Sequence, residues 1–92
     1  MAVYVDPARH AFGRMMMCHM MADSTAELLD MADKIGVQRK WIQKAGTVYE
    51  HFDVSKAMRA KAVEAGAKEV TSRDLGWLIR ARKARPTQTE GR

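Results

Sequence analysis

The chain has one cysteine, Cys18, so it can form no internal disulfide, and no second thiolate exists for a zinc knuckle or a CxxC redox pair. Cys18 lies inside an apolar run and reads as a small buried hydrophobe rather than a reactive thiol. Long hydrophobic runs are lacking as well. The longest, Met15 to Ala22, is interrupted by His19 and falls far short of the roughly 20 residues a spanning helix needs. No membrane span and no membrane partner are expected. The opening MAVYVDPARH carries Asp6 and has no charged-then-apolar leader, so the expected compartment is the cytoplasm. No glycine-rich phosphate loop, nucleophile elbow or HExxH pattern occurs. The extended chain between the later helices also argues against a helix-turn-helix reader of the major groove. Reaction class is therefore not readable from motifs.

What is present describes a small domain. The chain has 92 residues, of which 47% are hydrophobic and 29% charged, with two prolines and six glycines. A chain of this length buries about 60–65% of its unfolded surface in one core. Residues 1–85 are expected to form one globular domain and residues 86–92, PTQTEGR, a disordered tail. Charge is unevenly placed. Residues 1–70 carry ten basic and nine acidic side chains, whereas residues 71–92 carry six basic against Asp74 and Glu90. Most of the net charge of +5 thus lies near the C-terminus. Arg80, Arg82, Lys83 and Arg85 could supply phosphate or partner contacts, or equally stabilise the end of a solvated helix against its dipole.

Hydrophobic patterning predicts alternating strands and helices. Ala2 to Asp6, β-branched and aromatic, reads as a first strand stopped by Pro7, with residues 7–12 a loop. GRMMMCHMM, from Gly13 to Met21, shows neither clean alternation nor a helical stripe, so it is expected as a strand buried on both faces. Ser24 with Glu27 forms a capping-box signature, and Leu28, Met31, Ala32 and Ile35 recur at helical spacing up to Gly36. Val37 to Gln43 reads as a strand or an extended connection, and Val48 to Asp53 as a short extended segment. Asp53 or Ser55 caps a helix from Lys56 to Ala65, closed by Gly66. Lys68 to Val70 is a brief strand, and Thr71-Ser72 with Asp74 starts a last helix carrying Leu75, Leu78 and Ile79. The fold class is α+β, a small mixed sheet of three to four strands covered by two to three helices. The first two strands are joined too closely for a helical crossover and should be antiparallel.

The candidate chemistry lies at Asp6, His19, Asp23, Tyr49, His51 and Asp53. In an extended segment Tyr49, His51 and Asp53 share one face, with Glu50 and Phe52 on the other. His19 and Asp23 sit near the end of the preceding strand. Two imidazoles and two carboxylates converging there, His19, Asp23, His51 and Asp53, suit a divalent metal or an acid/base pair beside a helix N-terminus that attracts anions. Each residue has a plainer role open to it: His19 as a satisfied core histidine, Asp23 and Asp53 as helix caps, His51 as a surface residue. Trp41 and Trp77 read as core anchors, and the methionines from Met15 to Met21 as adaptable core.

At VYVD, CHMMAD with Glu27 and Leu28, Ile35-Gly36, Trp41 with Gln43, YEHFD and Ala65-Gly66-Ala67, the chain resembles a family of small bacterial and phage proteins. That family is catalogued as a domain of unknown function, number four-zero-three-one. Its polar pattern, HxxAD and HxD, falls here on His19, Ala22, Asp23, His51 and Asp53, with Asp6 closing the first strand. The resemblance implies that these polar positions, rather than the methionine-rich strand or the basic tail, belong to the family. Two functions follow as expectations. One is a pocket of His19, Asp23, His51 and Asp53 that binds a phosphate-bearing ligand, a nucleotide or nucleic-acid end, with or without a metal. The other is a phage-type interaction protein that engages an acidic host protein or nucleic acid through its basic C-terminal helix.

Overall fold

Eight residues of the apolar run, Met15–Ala22, form the long strand on which the sheet is built. In the computed structural model, which describes residues 2–7, 10–12 and 15–84, the elements follow as β1 (Val3–Val5), β2 (His10–Phe12), β3 (Met15–Ala22), α1 (Thr25–Ile35), β4 (Phe52–Ser55), α2 (Lys56–Glu64), β5 (Lys68–Glu69) and α3 (Ser72–Ala84). Met20 pairs with Val5 of β1 and with Phe52 of β4. Met17 pairs with His10 of β2 and with Ser55 of β4. Thus β1 and β2 share one edge of β3 while β4 takes the other, and β5 joins β1 in parallel. Five strand segments therefore make a mixed sheet four ranks wide, an α+β fold as expected, with β1 and β3 antiparallel.

Two expectations about strands are corrected. Residues 7–12 are not all loop, because His10–Phe12 pair with Met17–Met15 as β2. Once Pro7 has ended β1, the first half of β3 still has an edge of backbone groups to satisfy, and three residues are too few to announce themselves by alternation. The Val37–Gln43 stretch is no strand either. It contains a single 3-10 turn, Arg39–Trp41, and only Gln43 reaches a β-bridge, with His51. The extended segment expected over Val48–Asp53 is correspondingly displaced, so that the strand proper runs Phe52–Ser55.

One face of β3 carries Cys18, Met20 and Ala22, all 1% exposed or less. They meet Leu28, Met31, Ala32 and Ile35 of α1, Ala62 of α2, and Phe52 and Val54 of β4 in the main core. Cys18 is the buried hydrophobe expected, and burial pushes its thiol pKa up. Ser24 caps α1 by accepting the Glu27 N–H at 3.2 Å, and Gly36 closes it at φ +84°, in the left-handed region. Ser55 rather than Asp53 caps α2, accepting the Met58 N–H at 3.2 Å. Asp53 stands two residues before that cap, opposite His19 in the ladder.

The other face of β3, through His19 and Met21, looks toward α3 across a cavity lined also by Leu75 and Ile79. Thr71 and Asp74 start that helix with a reciprocal capping box: the Asp74 N–H donates to Thr71 Oγ1 at 3.1 Å and the Thr71 N–H to Asp74 Oδ2 at 3.0 Å. Near its end the Arg82 guanidinium donates to the carbonyls of Ala22 and Val48, strapping α3 to the end of β3. Trp41 and Trp77 are not core anchors, being 60% and 57% exposed. Trp41 is held on a turn away from the core, and Trp77 lies on the outward side of α3. The tail 86–92 and Arg85 lie outside the described residues. Among the described residues no helix is long and apolar enough to cross a membrane.

Because Phe52 is fully buried and Trp41 is not, urea denaturation should separate them. Phe52→Ala is expected to lower unfolding free energy by about 3–5 kcal/mol and Trp41→Ala to change it by less than about 0.5 kcal/mol.

Candidate metal centre

Strand alternation turns His19 away from the main core while its neighbours Cys18 and Met20 turn into it. Across the ladder, His19 faces Asp53. His51 stands two residues before Asp53 on the same side, with Phe52 buried opposite, as the alternation predicts. Donor atoms of His19, His51 and Asp53 all lie within 4.8 Å of one another. The two imidazole rings meet edge to face, centroids 5.5 Å apart and planes at 69°.

Each ring is oriented through its Nδ1. His19 Nδ1 lies 2.9 Å from Asp6 Oδ2. Asp6 is only 1% exposed, and burial alone would raise its pKa. Hydrogen bonds from the His19 N–H at 2.8 Å, the His19 ring and Ser72 Oγ at 3.0 Å outweigh that and hold the carboxyl below its ordinary range. An ionised carboxylate has no proton to give, so His19 Nδ1 is the donor. His51 Nδ1 lies 2.8 Å from the Tyr49 carbonyl oxygen, which can only accept. With Nδ1 donating, the neutral form of either ring carries its lone pair on Nε2.

That assignment creates a specific electrostatic problem. His51 Nε2 and Asp53 Oδ1 are 3.3 Å apart. A lone pair on nitrogen facing a carboxylate oxygen is repulsive unless a cation lies between them, either a proton that makes an imidazolium or a metal ion. The separation suits a metal, since donors bound at about 2.0–2.1 Å on tetrahedral positions stand about 3.4 Å apart.

The loop that delivers His51 is itself held from below. The buried Glu50 carboxylate accepts from Thr25 Oγ1 at 2.8 Å and from the Gly46 N–H at 3.0 Å, tying the loop to α1. Gln43 and His51 exchange both backbone hydrogen bonds. The turn between them places Gly46 and also Lys44 at positive φ, +79° and +56°, a conformation that costs a lysine more than a glycine.

Beside the cluster of His19, His51 and Asp53 is a cavity of about 470 Å³ whose lining includes Asp6, His19, Tyr49 and His51 at its polar end and Met21, Leu75 and Ile79 on its apolar wall. The structure thus brings Asp6, His19, Tyr49 and His51 to one cavity, with Asp53 joined to the two histidines. Asp23 has a different setting. Its carboxylate accepts the Ala2 N–H at 2.7 Å and the Tyr4 hydroxyl at 2.9 Å, binding β1 to the start of α1. Burial and this hydrogen bond raise the Tyr4 pKa. Lys44, Ser72 and Gly76 also line the cavity and were not among the residues expected there. Ser72 was legible only as part of a capping signature, and nothing local marks Lys44 or Gly76. Of the C-terminal cations, Arg82 is engaged with backbone carbonyls, Lys83 lies 4.9 Å over the Tyr49 ring and Arg80 lies 5.0 Å over Trp77.

Asp6→Asn is expected to cost about 1.5–3 kcal/mol at neutral pH, the worth of hydrogen bonds to a charged group. Because the folded-state pKa of Asp6 is depressed, its contribution is complete above the unfolded value of about 3.9 and disappears as pH falls through the folded value. The gap between wild type and variant in urea unfolding should therefore shrink toward acid, and a gap independent of pH would refute this account of Asp6.

Residues 3–82 match the family described as a protein of unknown function, DUF4031, and the chain belongs to that family. No curated protein and no solved structure matches it.

Proposed function

We propose that this DUF4031 chain binds a divalent metal ion at His19, His51 and Asp53, and that the metal centre holds a phosphate-bearing ligand, a nucleotide or a nucleic-acid end, in the cavity under α3. The observation that carries the reading is the way the two histidines are anchored. Metal-ligating histidines characteristically give their second ring N–H to a carboxylate or a backbone carbonyl, which fixes the ring and makes the ligating nitrogen more basic. Here Asp6 serves His19 and the Tyr49 carbonyl serves His51.

Two imidazoles and one carboxylate suit zinc or another first-row transition ion better than calcium or magnesium. Three protein donors leave coordination positions for water or a ligand, as in sites that act on what they bind. A phosphate oxygen is a good occupant. Lys44 lines the same cavity and favours an anion. The apolar wall of Met21, Leu75 and Ile79 would take the organic part of the ligand.

Native mass spectrometry of metal-stripped protein titrated with Zn²⁺ tests the metal. One ion per chain is expected for wild type and none for His51→Ala that keeps its circular dichroism. Asp6→Asn, which loosens His19, should weaken zinc affinity by about 10–100-fold. A wild type that takes no metal, or a folded His51→Ala that takes as much, overturns the proposal. Adenosine monophosphate against adenosine on the zinc-loaded protein tests the ligand class: selective retention of the phosphate form supports it, and equal binding removes the phosphate from the reading.

A further inference from the structure

The outward side of α3 carries a second arrangement that the metal centre does not use. At 100° per residue, Arg73, Trp77 and Arg80 fall within about 60° of one another, while Leu75, Ile79 and Arg82 fall together on the opposite, sheet-facing side. Trp77 is 57% exposed, so its indole is open to a partner. The Arg80 guanidinium lies 5.0 Å over its ring, holding a cation against a flat aromatic surface. Arg73 stands one turn earlier, so two cations about 10 Å apart along the helix flank the ring. Between them is a cavity of about 430 Å³ lined by Arg73, Gly76, Trp77 and Arg80.

Gly76 is the telling residue. It lies inside α3, where glycine costs about 1 kcal/mol against alanine. Its φ is not positive, and a Cβ there would meet nothing within 4 Å. Neither backbone conformation nor packing requires a glycine. What its missing side chain does is leave open the floor of this cavity, and Gly76 also lines the cavity beside the histidines. The two concavities meet there.

We infer that the Arg73–Trp77–Arg80 face is a binding surface for single-stranded nucleic acid, with a base stacked on Trp77 over the open backbone of Gly76 and neighbouring phosphates on Arg73 and Arg80. Exposed aromatic rings interleaved with cations are how sequence-tolerant single-strand binders work, because every base has a π-face and every nucleotide a phosphate. A duplex hides its base faces, and an acidic peptide needs the cations without the ring. The chain's net charge of +5 favours the encounter. This surface stands independently of the metal centre.

Fluorescence anisotropy of labelled oligothymidylate with the full chain tests it. Wild type should bind, and binding should weaken steeply as salt rises from about 50 to 200 mM. Trp77→Ala should weaken binding about tenfold or more, whereas Lys61→Ala, which removes one charge on α2, leaves it unchanged. Gly76→Leu should block the surface while leaving the helix at least as stable by thermal melting, so that lost binding cannot be put down to lost fold. His51→Ala should bind the oligonucleotide as wild type does, which keeps failure of the metal reading distinct from failure of this one. No binding by wild type, equal affinity for duplex, equal competition by polyglutamate, or full binding by Trp77→Ala would each overturn the inference.

Discussion

Asp6 carries a negative charge at a position almost closed to water, and donors from β3 and α3 make that tolerable. Its carboxylate accepts the backbone N–H and the ring of His19 from β3 and the hydroxyl of Ser72 from α3. Its carbonyl accepts Arg59 Nε of α2 at 2.8 Å, and the same arginine reaches Glu69 of β5 at 3.2 Å. A buried carboxylate without such donors would be strongly unfavourable, so the middle of β3 and the start of α3 are held to the end of β1 by that charge, while Arg59 of α2 links the Asp6 carbonyl to Glu69 at the end of β5. The orientation of His19 is a consequence of the same bonds. Fold and site are in this sense one network, in which what stabilises the sheet also selects the ring tautomer.

The second histidine is set by different means. His51 rides on a loop with little hydrophobic burial of its own, and its position comes from hydrogen bonds: the paired backbone bonds with Gln43, the Glu50 carboxylate gripping Gly46 and Thr25, and the Tyr49 carbonyl on the ring. Arg82 then ties Val48 in that loop and Ala22 at the end of β3 to α3. The paired strands β3 and β4 supply His19 and Asp53, and a braced loop leading into β4 supplies His51. Such a division fits a centre that must be preorganised yet open on one side.

The helix α3 serves two solvents. Leu75 and Ile79 roof the cavity over the sheet's second face, and Arg82 reaches inward to backbone carbonyls, so a residue counted as part of a basic helix end acts as a structural strut. Arg73, Trp77 and Arg80 look outward. The positive charge of the C-terminal region is thereby divided by the helical turn between an inward strut and an outward face, which a count of basic residues along the chain does not reveal.

Local pattern determined a good deal of this protein. The capping signatures at Ser24, Ser55 and Thr71 with Asp74, the Leu28 to Ile35 stripe and the strands at Val3 and Met15 are short-range features, and short-range features are written in neighbouring residues. Strand alternation likewise put His51 and Asp53 on the face opposite Phe52, and the polar residues His19, His51 and Asp53 were legible as candidates for the same reason. The pairing of β2, the turn at Arg39–Trp41 and the exposure of both tryptophans were not, because each depends on what lies across the sheet or beyond the helix rather than on adjacent positions. Tertiary structure alone decided that Asp23 turns to Ala2 and Tyr4 while Asp6 turns to His19, and that Lys44, Ser72 and Gly76 share a cavity with the histidines. Contacts across the sheet and between residues dozens of positions apart are chosen by how the layers pack and by which buried charge must be satisfied, and no periodicity along the chain encodes that choice.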